Sequence, residues 1–280
     1  MRRTKIICTM GPATDNEDVL RDLMLNGMDV ARLNFSHGSH EEALERINRI
    51  KKVRDELNIP VAILLDTKGP EVRIKDFKEG KVELKEGQKF TLCTDDVVGD
   101  ENQVSITYAN LPNDVKVGSK ILIDDGLIEM EVISVKNSKI LCKVKNGGIV
   151  SNKKGVNVPN VALSMPYMSQ KDIDDILFGI EQDVDFIAAS FVRTADDIRE
   201  IKTLLRDNGG RDIRIIAKIE NAEGVDNIDD IIRETHGIMV ARGDMGVEID
   251  MHDLCFKRAL SRKHTEQVRL LLRQHKCLIQ

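Results

Sequence analysis

The feature that most constrains the fold of this chain is a series of six short apolar segments, each of which ends in a cluster of polar residues. The segments are residues 5–9, 30–34, 61–66, 184–190, 214–218 and 237–242. Most are followed by apolar residues at helical spacing, as in residues 40–57, where Ile47 and Ile50 share one face. Alternating strands and helices predict a parallel sheet, and polar residues at successive strand ends favour a βα-barrel over an open sheet.

Residues 70–155 interrupt this alternation with short segments typical of β-strands, separated by turns such as Asp125-Gly126 and Asn146-Gly147. They predict a small β-barrel domain inserted into a βα loop, where insertion costs little because the loop ends are already close together. The C-terminal ends of the strands form the active site of such a barrel. The inserted domain is therefore placed to act as a lid.

The number of strands is lower than a closed barrel requires, since eight are needed and the sequence offers six. Residues 251–280 hold seven Lys or Arg and two Asp or Glu, a net charge of +5, whereas the whole chain has −5 and residues 1–250 therefore −10. This tail predicts one helix near residues 266–279 and no seventh strand.

We therefore predict an α/β fold, an incomplete (β/α)8 barrel with an inserted β-barrel lid. The predicted domains are a partial barrel of six strands in residues 1–69 and 156–250, a lid in residues 70–155 and a tail in residues 251–280.

The composition of the chain argues against several classes of partner. The uncharged apolar segments are too short to span a bilayer, so no membrane partner is expected. Residues 1–250 are acidic and do not interleave aromatic with basic residues, so nucleic-acid binding is not expected. The five cysteines are odd in number and lack metal-type spacing, which predicts reduced thiols and a cytoplasmic location.

Lys218 and Glu220 lie two positions apart at the end of the fifth apolar segment. In a strand such residues point the same way, so both can face one ligand. A carboxylate suits Mg²⁺, and an adjacent ammonium suits a phosphate bound to that metal. Asp244, after the next segment, offers a second carboxylate. The alternatives are a salt bridge at a strand end and a turn at Gly243-Asp244.

Polar residues also follow the second and third segments. Arg32 is a candidate for a forked contact to phosphate. The four oxygen donors nearby can form a site for a weakly hydrated cation such as K⁺, and they are Asn34, Ser36, Asp66 and Thr67. Alternatively, Ser36 caps the following helix.

Two further motifs have simpler alternatives. His37 and His40 are predicted to be surface or capping residues rather than metal ligands, because neither has a partner at ligand spacing. Lys153 and Lys154, at the exit from the inserted domain, either place positive charge over a polyphosphate or form a solvated loop.

Taken together, these motifs resemble those of the pyruvate kinase family, and of its bacterial members in particular. The matching segments are residues 9–13, 31–38, 65–71, 153–157, 216–225 and 241–248. They occur in order from about residue 3 to residue 250 and include the inserted domain. The resemblance implies transfer of the phosphoryl group of phosphoenolpyruvate to ADP, giving pyruvate and ATP in the last step of glycolysis. Such a transfer requires mainly positioning and charge neutralisation from the protein.

The resemblance also implies roles for individual residues. Arg32 and Lys218 are implied as catalytic residues that bind the transferring phosphoryl group. Glu220 and Asp244 are implied as ligands of Mg²⁺ or Mn²⁺. The residues implied for K⁺ are Asn34, Ser36, Asp66 and Thr67, with Glu71 at the position typical of K⁺-dependent members. The remaining residues implied to contact substrate or phosphate are Gly243, Arg73 and Lys154.

The resemblance ends at Asp250, where family members continue with two more strands and a regulatory domain. We therefore expect a C-terminally truncated chain with a non-matching tail, poor stability and little or no pyruvate kinase activity. The homotetramer of the family is not expected of it. Two alternatives are a non-catalytic remnant and a metal-dependent lyase or aldolase that acts on phosphoenolpyruvate or pyruvate.

Overall fold

The computed structural model describes residues 4–248 and 271–273. In that part of the chain, the strands form two seven-stranded sheets and a two-stranded ribbon. In chain order the strands are β1 (Ile7–Thr9), β2 (Val30–Asn34), β3 (Ala62–Asp66), β4 (Val72–Arg73), β5 (Lys81–Leu84), β6 (Lys89–Cys93), β7 (Gln103–Ser105), β8 (Lys120–Ile123), β9 (Ile128–Lys136), β10 (Lys139–Val144), β11 (Gly148–Ser151), β12 (Gly155–Asn157), β13 (Phe186–Ala189), β14 (Arg214–Ile219), β15 (Gly237–Val240) and β16 (Leu271–Arg273).

The helices lie mainly between the strands of the first sheet. They are α1 (Glu17–Leu25), α2 (His40–Leu57), α3 (Leu111–Asp114), α4 (Gln170–Glu181), α5 (Ala195–Asp207), α6 (Ala222–Asp226), α7 (Ile228–Glu234) and α8 (Arg242–Glu248). Polar side chains fix several of their starts: Ser39 accepts a hydrogen bond from the Glu42 N–H at α2, and Ser169 accepts one from Asp172 at α4.

The first sheet is parallel throughout, in the order β1-β2-β3-β13-β14-β15-β16. Both of its faces are buried, as parallel sheets require. Ile63, Ile187 and Ile215 belong to the core that includes the helices, whereas Leu64 and Ile216 belong to a small separate cluster. Side chains alternate between faces along each strand, so these hydrophobic runs serve two cores.

The second sheet, called the lid sheet below, has the order β4-β12-β8-β9-β10-β6-β7, and β5 pairs with β11 beside it. It has its own core, in which Phe90 and Met130 are fully buried. The chain leaves the parallel sheet after β3 and returns to it at β13. The predicted fold class, a partial βα-barrel with an inserted β domain, is confirmed, while the boundaries predicted at residues 69 and 155 stay predictions.

The prediction of six strands and no seventh is wrong. β16 extends the sheet by pairing with β15 in parallel, with Ile238 opposite Leu271 and Val240 opposite Arg273. Leucine has a high helix propensity, so these residues alone favour the predicted helix in residues 266–279. The open edge of β15 offers unpaired backbone groups instead, and a short strand satisfies them. The rest of that predicted helix lies outside the described residues.

None of the helices in the described residues is long and apolar enough to cross a membrane.

The separate cores predict that the lid can be weakened on its own. Met130→Ala removes a fully buried side chain of the lid core and should lower the free energy of unfolding of the lid by about 2–5 kcal/mol. Val98→Ala, on an exposed side chain, is the control and should cost less than about 0.5 kcal/mol. Hydrogen exchange resolved by segment measures both. Equal acceleration in the parallel sheet and the lid sheet for Met130→Ala would show that the two cores unfold together.

Candidate active site

The C-terminal ends of β2, β3 and β14 bring Arg32, Asp66 and Lys218 together. Arg32 lies on β2, and its Nε donates to Asp66 Oδ2 over 2.5 Å while one terminal nitrogen donates to Thr9 Oγ1 over 2.7 Å. The register of the sheet sets this up, because Arg32 lies opposite Thr9 and β2 pairs with β3. Asp66 thus fixes the direction of the Arg32 guanidinium.

Lys218 is the buried cation of the site. Its Nζ lies 2.6 Å from Ser190 Oγ and 3.1 Å from both Asp66 Oδ1 and Glu220 Oε1. Burial by itself lowers the pKa of Lys218, but the carboxylates of Glu220 and Asp66 outweigh burial and raise the pKa overall. Lys218 therefore stays charged. The salt bridge between Lys218 and Glu220, the alternative given above to a shared ligand, is present, and both side chains are buried.

Ser190, which sequence reasoning did not single out, links the strand ends. Its hydroxyl accepts from Lys218 and lies 2.7 Å from the Thr67 carbonyl oxygen and 3.1 Å from Asp66 Oδ1. Its own N–H donates to Thr67 Oγ1. The only sequence signal was its position at the end of the fourth apolar segment. Serine is common at strand ends, so the residue type alone carried no prediction.

The Ser190 carbonyl oxygen is held between Gly69 and Tyr167. The Tyr167 hydroxyl donates to it over 3.0 Å. Gly69 has φ of +70°, and a Cβ added there would lie 2.6 Å from the same oxygen. A side chain at position 69 would therefore be strained in its backbone and would collide with Ser190.

Glu220 is the buried carboxylate of the site. Its Oε2 accepts from the Phe191 N–H over 2.7 Å, an arrangement in which Phe191 takes the left-handed φ of +53°. The pKa of Glu220 is raised to about 6, chiefly by burial; the charge of Lys218 opposes this shift, and the negative charge of Asp244 adds to it.

Asp244 and Gly243 lie in the first turn of α8. The alternative interpretation of Gly243-Asp244 as a simple turn is therefore wrong. The start of the helix follows β15 directly, since Val240 ends the strand and α8 begins at Arg242. Asp244 lines the cleft between the parallel sheet and the lid sheet.

These residues fit a divalent cation. Arg32 and Lys218 both contact Asp66, Lys218 also contacts Glu220, and the negative charge of Asp244 acts on Glu220. Asp66 is engaged by both cations, and Glu220 by Lys218 and the Phe191 N–H, so a metal between Glu220 and Asp244 would relieve their remaining repulsion. No group of three or more His, Cys, Asp and Glu side chains in the described residues is arranged to hold a metal. Two protein carboxylates, completed by substrate and water, is the arrangement Mg²⁺ commonly adopts.

The oxygens predicted for K⁺ lie on two adjacent segments. Asn34 pairs in register with Asp66, and the Phe35 N–H donates to the Asp66 carbonyl oxygen. Asn34 Oδ1 accepts from the Ser36 N–H over 3.1 Å. Thr67 Oγ1 donates to the Ala188 carbonyl oxygen of β13, the neighbouring strand in the sheet, and accepts from the Ser190 N–H.

The alternative role of Ser36 as a helix cap is wrong, since α2 begins at His40 and Ser39 caps it. His37 is exposed, as predicted, whereas His40 stands at the first position of α2 and contacts Asp175.

Arg73 and Lys154 line the opposite, lid side of the cleft, which has a volume of about 620 Å³. Arg73 forms a forked pair with Glu71, with N–O distances of 2.6 and 2.8 Å. Lys154 Nζ lies 2.9 Å from Asp124 Oδ1. Both cations therefore border the same space as Asp244, and each has an acidic partner.

The lid also touches the barrel beside Asp244. Asn157 at the end of β12 donates through Nδ2 to Glu248 Oε1 of α8 over 2.8 Å. Burial raises the pKa of Glu248, and the Asn157 hydrogen bond opposes this shift. The lid sheet is thereby tied to the helix that carries Asp244.

Fold and site together define a βα-barrel protein with a lid domain inserted after its third strand and charged side chains at its strand ends. The family model described as pyruvate kinase, barrel domain, matches residues 1–269. The chain belongs to the pyruvate kinase family, a family of phosphotransferases that use Mg²⁺ and K⁺.

Individual relatives agree with this assignment. The chain is 50% identical to the pyruvate kinase of Clostridium perfringens over 255 residues, which cover 91% of this chain and 54% of that protein. It is 53% identical to the pyruvate kinase of Geobacillus stearothermophilus over 255 residues, covering 90% and 43%. A crystal structure of a pyruvate kinase from Cryptosporidium parvum superposes with a TM-score of 0.93 at 37% identity, covering 98% of this chain and 58% of that chain.

The chain spans about half the length of the curated relatives it matches. The family model extends to residue 269.

Ser190 offers a first test of the buried network. Ser190→Ala leaves Lys218 Nζ and the Thr67 carbonyl oxygen without this partner, which should lower the free energy of unfolding by about 1–3 kcal/mol. Ser164→Ala is a matched control, because the Ser164 hydroxyl also bonds three groups, here the side chains of Tyr108, Asn110 and Asp114, but is exposed. Urea denaturation measures both. A loss for Ser190→Ala no larger than for Ser164→Ala would contradict the network.

The pH dependence of stability tests the burial of Tyr167. Burial raises the pKa of Tyr167 well above its usual value, and nearby carboxylates, first that of Asp197, add to the shift. Above pH about 10 the unfolded chain ionises this phenol while the folded chain does not, so stability should fall by up to about 1.4 kcal/mol per pH unit. Tyr167→Phe removes this contribution and should flatten the dependence more than Tyr108→Phe. Identical slopes for the two variants would refute the assignment.

Proposed function

We propose that this site transfers the phosphoryl group of phosphoenolpyruvate to ADP. The observation that carries the proposal is the buried Lys218 ammonium, held by Ser190 and Asp66 beside the Glu220 carboxylate. A cation fixed before substrate arrives can stabilise charge on a phosphoryl group in flight without reorganising. Family membership supplies the substrate class.

Arg32 and Lys218 would bind the transferring phosphoryl group. Both contact Asp66, through different carboxylate oxygens, so one residue orients the two cations. The forked Arg32 guanidinium suits phosphate oxygens, while the Lys218 ammonium acts as a point charge. Gly243, an exposed residue in the first turn of α8, would let substrate approach the backbone beside Asp244.

Glu220 and Asp244 would hold Mg²⁺ or Mn²⁺, and their mutual repulsion supports this role. When bound, the metal would neutralise phosphate charge and stabilise the negative charge that the transfer leaves on the substrate oxygen. With Asn34, Ser36, Asp66 and Thr67 as its oxygen donors, K⁺ would occupy the neighbouring loops. The register that pairs Asn34 with Asp66 supports that placement.

Arg73 and Lys154 would contact phosphates from the lid side. Each is now paired with a carboxylate, Arg73 with Glu71 and Lys154 with Asp124. A phosphate entering the cleft would compete with these carboxylates for the two cations. Glu71 also lies 3.3 Å from Lys68 Nζ, so its negative charge has more than one partner.

A non-catalytic remnant that binds phosphoenolpyruvate without turnover is the second candidate. One observation favours it. In the described residues the parallel sheet has seven strands, and β1 and β16 lie at its edges. A closed barrel of this kind has eight strands and no edges. The low activity, the oligomeric state and the cytoplasmic location predicted from the sequence stay predictions.

Turnover of the full 280-residue chain tests the proposal. Pyruvate formation is followed in a coupled lactate dehydrogenase assay with phosphoenolpyruvate, ADP, MgCl₂ and KCl. Lys218→Met should lower kcat by at least about 100-fold, because a preorganised charge is lost. Lys202→Met, which breaks the pair with Glu234 on the outer helices, is the control and should leave kcat unchanged.

Calorimetry with phosphoenolpyruvate and MgCl₂ separates the two candidates. Binding together with ADP-dependent turnover supports phosphoryl transfer. Binding without turnover supports the remnant. Turnover that Lys218→Met leaves intact, or absence of binding, would overturn the proposed role of the site.

A further inference from the structure

Helix α4 carries two buried aspartates on one face, Asp172 and Asp175. Their exposed fractions are 2% and 1%. A buried carboxylate is costly unless its oxygens are hydrogen-bonded. The hydrogen-bond partners of these two carboxylates therefore indicate why the carboxylates are buried.

Asp172 binds the loop that follows β3. Its Oδ1 accepts from the Gly69 N–H over 2.9 Å, a contact between residues 103 positions apart. Its Oδ2 accepts from the N–H and the hydroxyl of Ser169 at the start of its own helix. One carboxylate thus joins the start of α4 to the glycine that packs against Ser190.

Asp175 binds the start of α2, which follows the loop after β2. Its Oδ1 lies 2.7 Å from His40 Nε2, and since a carboxylate can only accept, this nitrogen carries the hydrogen. Lys171 donates to both carboxylate oxygens. The His40 ring also stacks on Phe178 of α4, with centroids 4.5 Å apart, and lies 6.1 Å from Phe35.

The two loops held in this way are the ones that carry the candidate cation ligands. Residues 67–71 follow Asp66 and include Thr67, whereas residues 35–39 follow Asn34 and include Ser36. We propose that Asp172 and Asp175 are positioning residues, each of which fixes one of these loops so that their oxygens meet at a single site. The identity of the bound cation in this inference rests on the proposed function. The fixing of the two loops does not depend on it.

Helix capping alone does not account for the pair. Asp197 occupies the same capping position in α5 and is also buried, but its carboxylate accepts from Arg193 and Thr194 of its own turn. Asp172 and Asp175 each bond in addition a residue far away in the chain, Gly69 in the loop after β3 and His40 directly after the loop that follows β2. Asp197→Asn is therefore a matched control that weakens a helix start without touching either loop.

Hydrogen exchange of the full chain, resolved by segment, tests the proposal without any ligand. Asp172→Asn should accelerate exchange in residues 67–71 about tenfold and leave residues 35–39 unchanged, because an amide cannot accept on both sides. Asp175→Asn should do the reverse. Asp197→Asn should change neither loop. Acceleration of both loops by either variant, or of α4 alone, would overturn the proposal.

A second pair of variants avoids altering α4, in case the aspartate variants do not fold. His40→Gln retains a donor for Asp175 and should keep exchange in residues 35–39 slow, whereas His40→Ala should accelerate it. Equal exchange in the two variants would contradict the role of Asp175.

Calorimetry of phosphoenolpyruvate with MgCl₂ at several KCl concentrations gives the functional readout. Asp172→Asn and Asp175→Asn should raise the half-saturating KCl concentration about tenfold, and Asp197→Asn should not raise it. An unchanged KCl dependence would refute the link to the cation site. If the wild-type chain binds no phosphoenolpyruvate, the proposed function fails, while the exchange results still decide whether the aspartates fix the loops.

Discussion

The burial of one ammonium group, that of Lys218, governs the rest of the site. A cation removed from water persists only beside carboxylates and hydrogen-bond acceptors. Here Asp66, Ser190 and Glu220 supply them, from β3, from the residue after β13 and from the residue after β14. These three strands are consecutive in the sheet. The parallel order that forms the core is therefore also what assembles the charged cluster.

The same cluster sets how the lid and the outer helices are attached. The chain leaves the parallel sheet after β3, and in the loop that follows, at Gly69, only a glycine fits against the Ser190 carbonyl oxygen. Helix α4 then holds that glycine through Asp172, and the lid returns to the barrel at Asn157 and Glu248. The bond from Gly69 to Asp172 and the bond from Asn157 to Glu248 are both directional hydrogen bonds. They join helix α4 and the lid to elements beside the cleft, which are also the elements that carry its charges.

Much of this could be predicted from the sequence, and the remainder has physical causes. The spacing of Lys218 and Glu220 predicted one shared face because strand geometry is local. Ser190 and Asp172 were missed because their partners lie far away in the chain, and a serine or a capping aspartate has no distinctive pattern. β16 was missed because a leucine-rich segment has helical propensity, and only the open edge of β15 selects a strand. Asp244 was expected after a strand, yet its placement in α8 depends on a helix too short to show periodicity.

The central claim is that the strand-end cluster holds a phosphate beside a divalent cation. The most direct measurement is the ³¹P relaxation of phosphoenolpyruvate bound to the full chain in the presence of Mn²⁺. The account predicts strong paramagnetic relaxation of the phosphorus nucleus that is lost in Glu220→Gln and retained in Glu234→Gln, which alters a carboxylate on the outer helices. Equal relaxation in the two variants, or none in the wild-type chain, would contradict it.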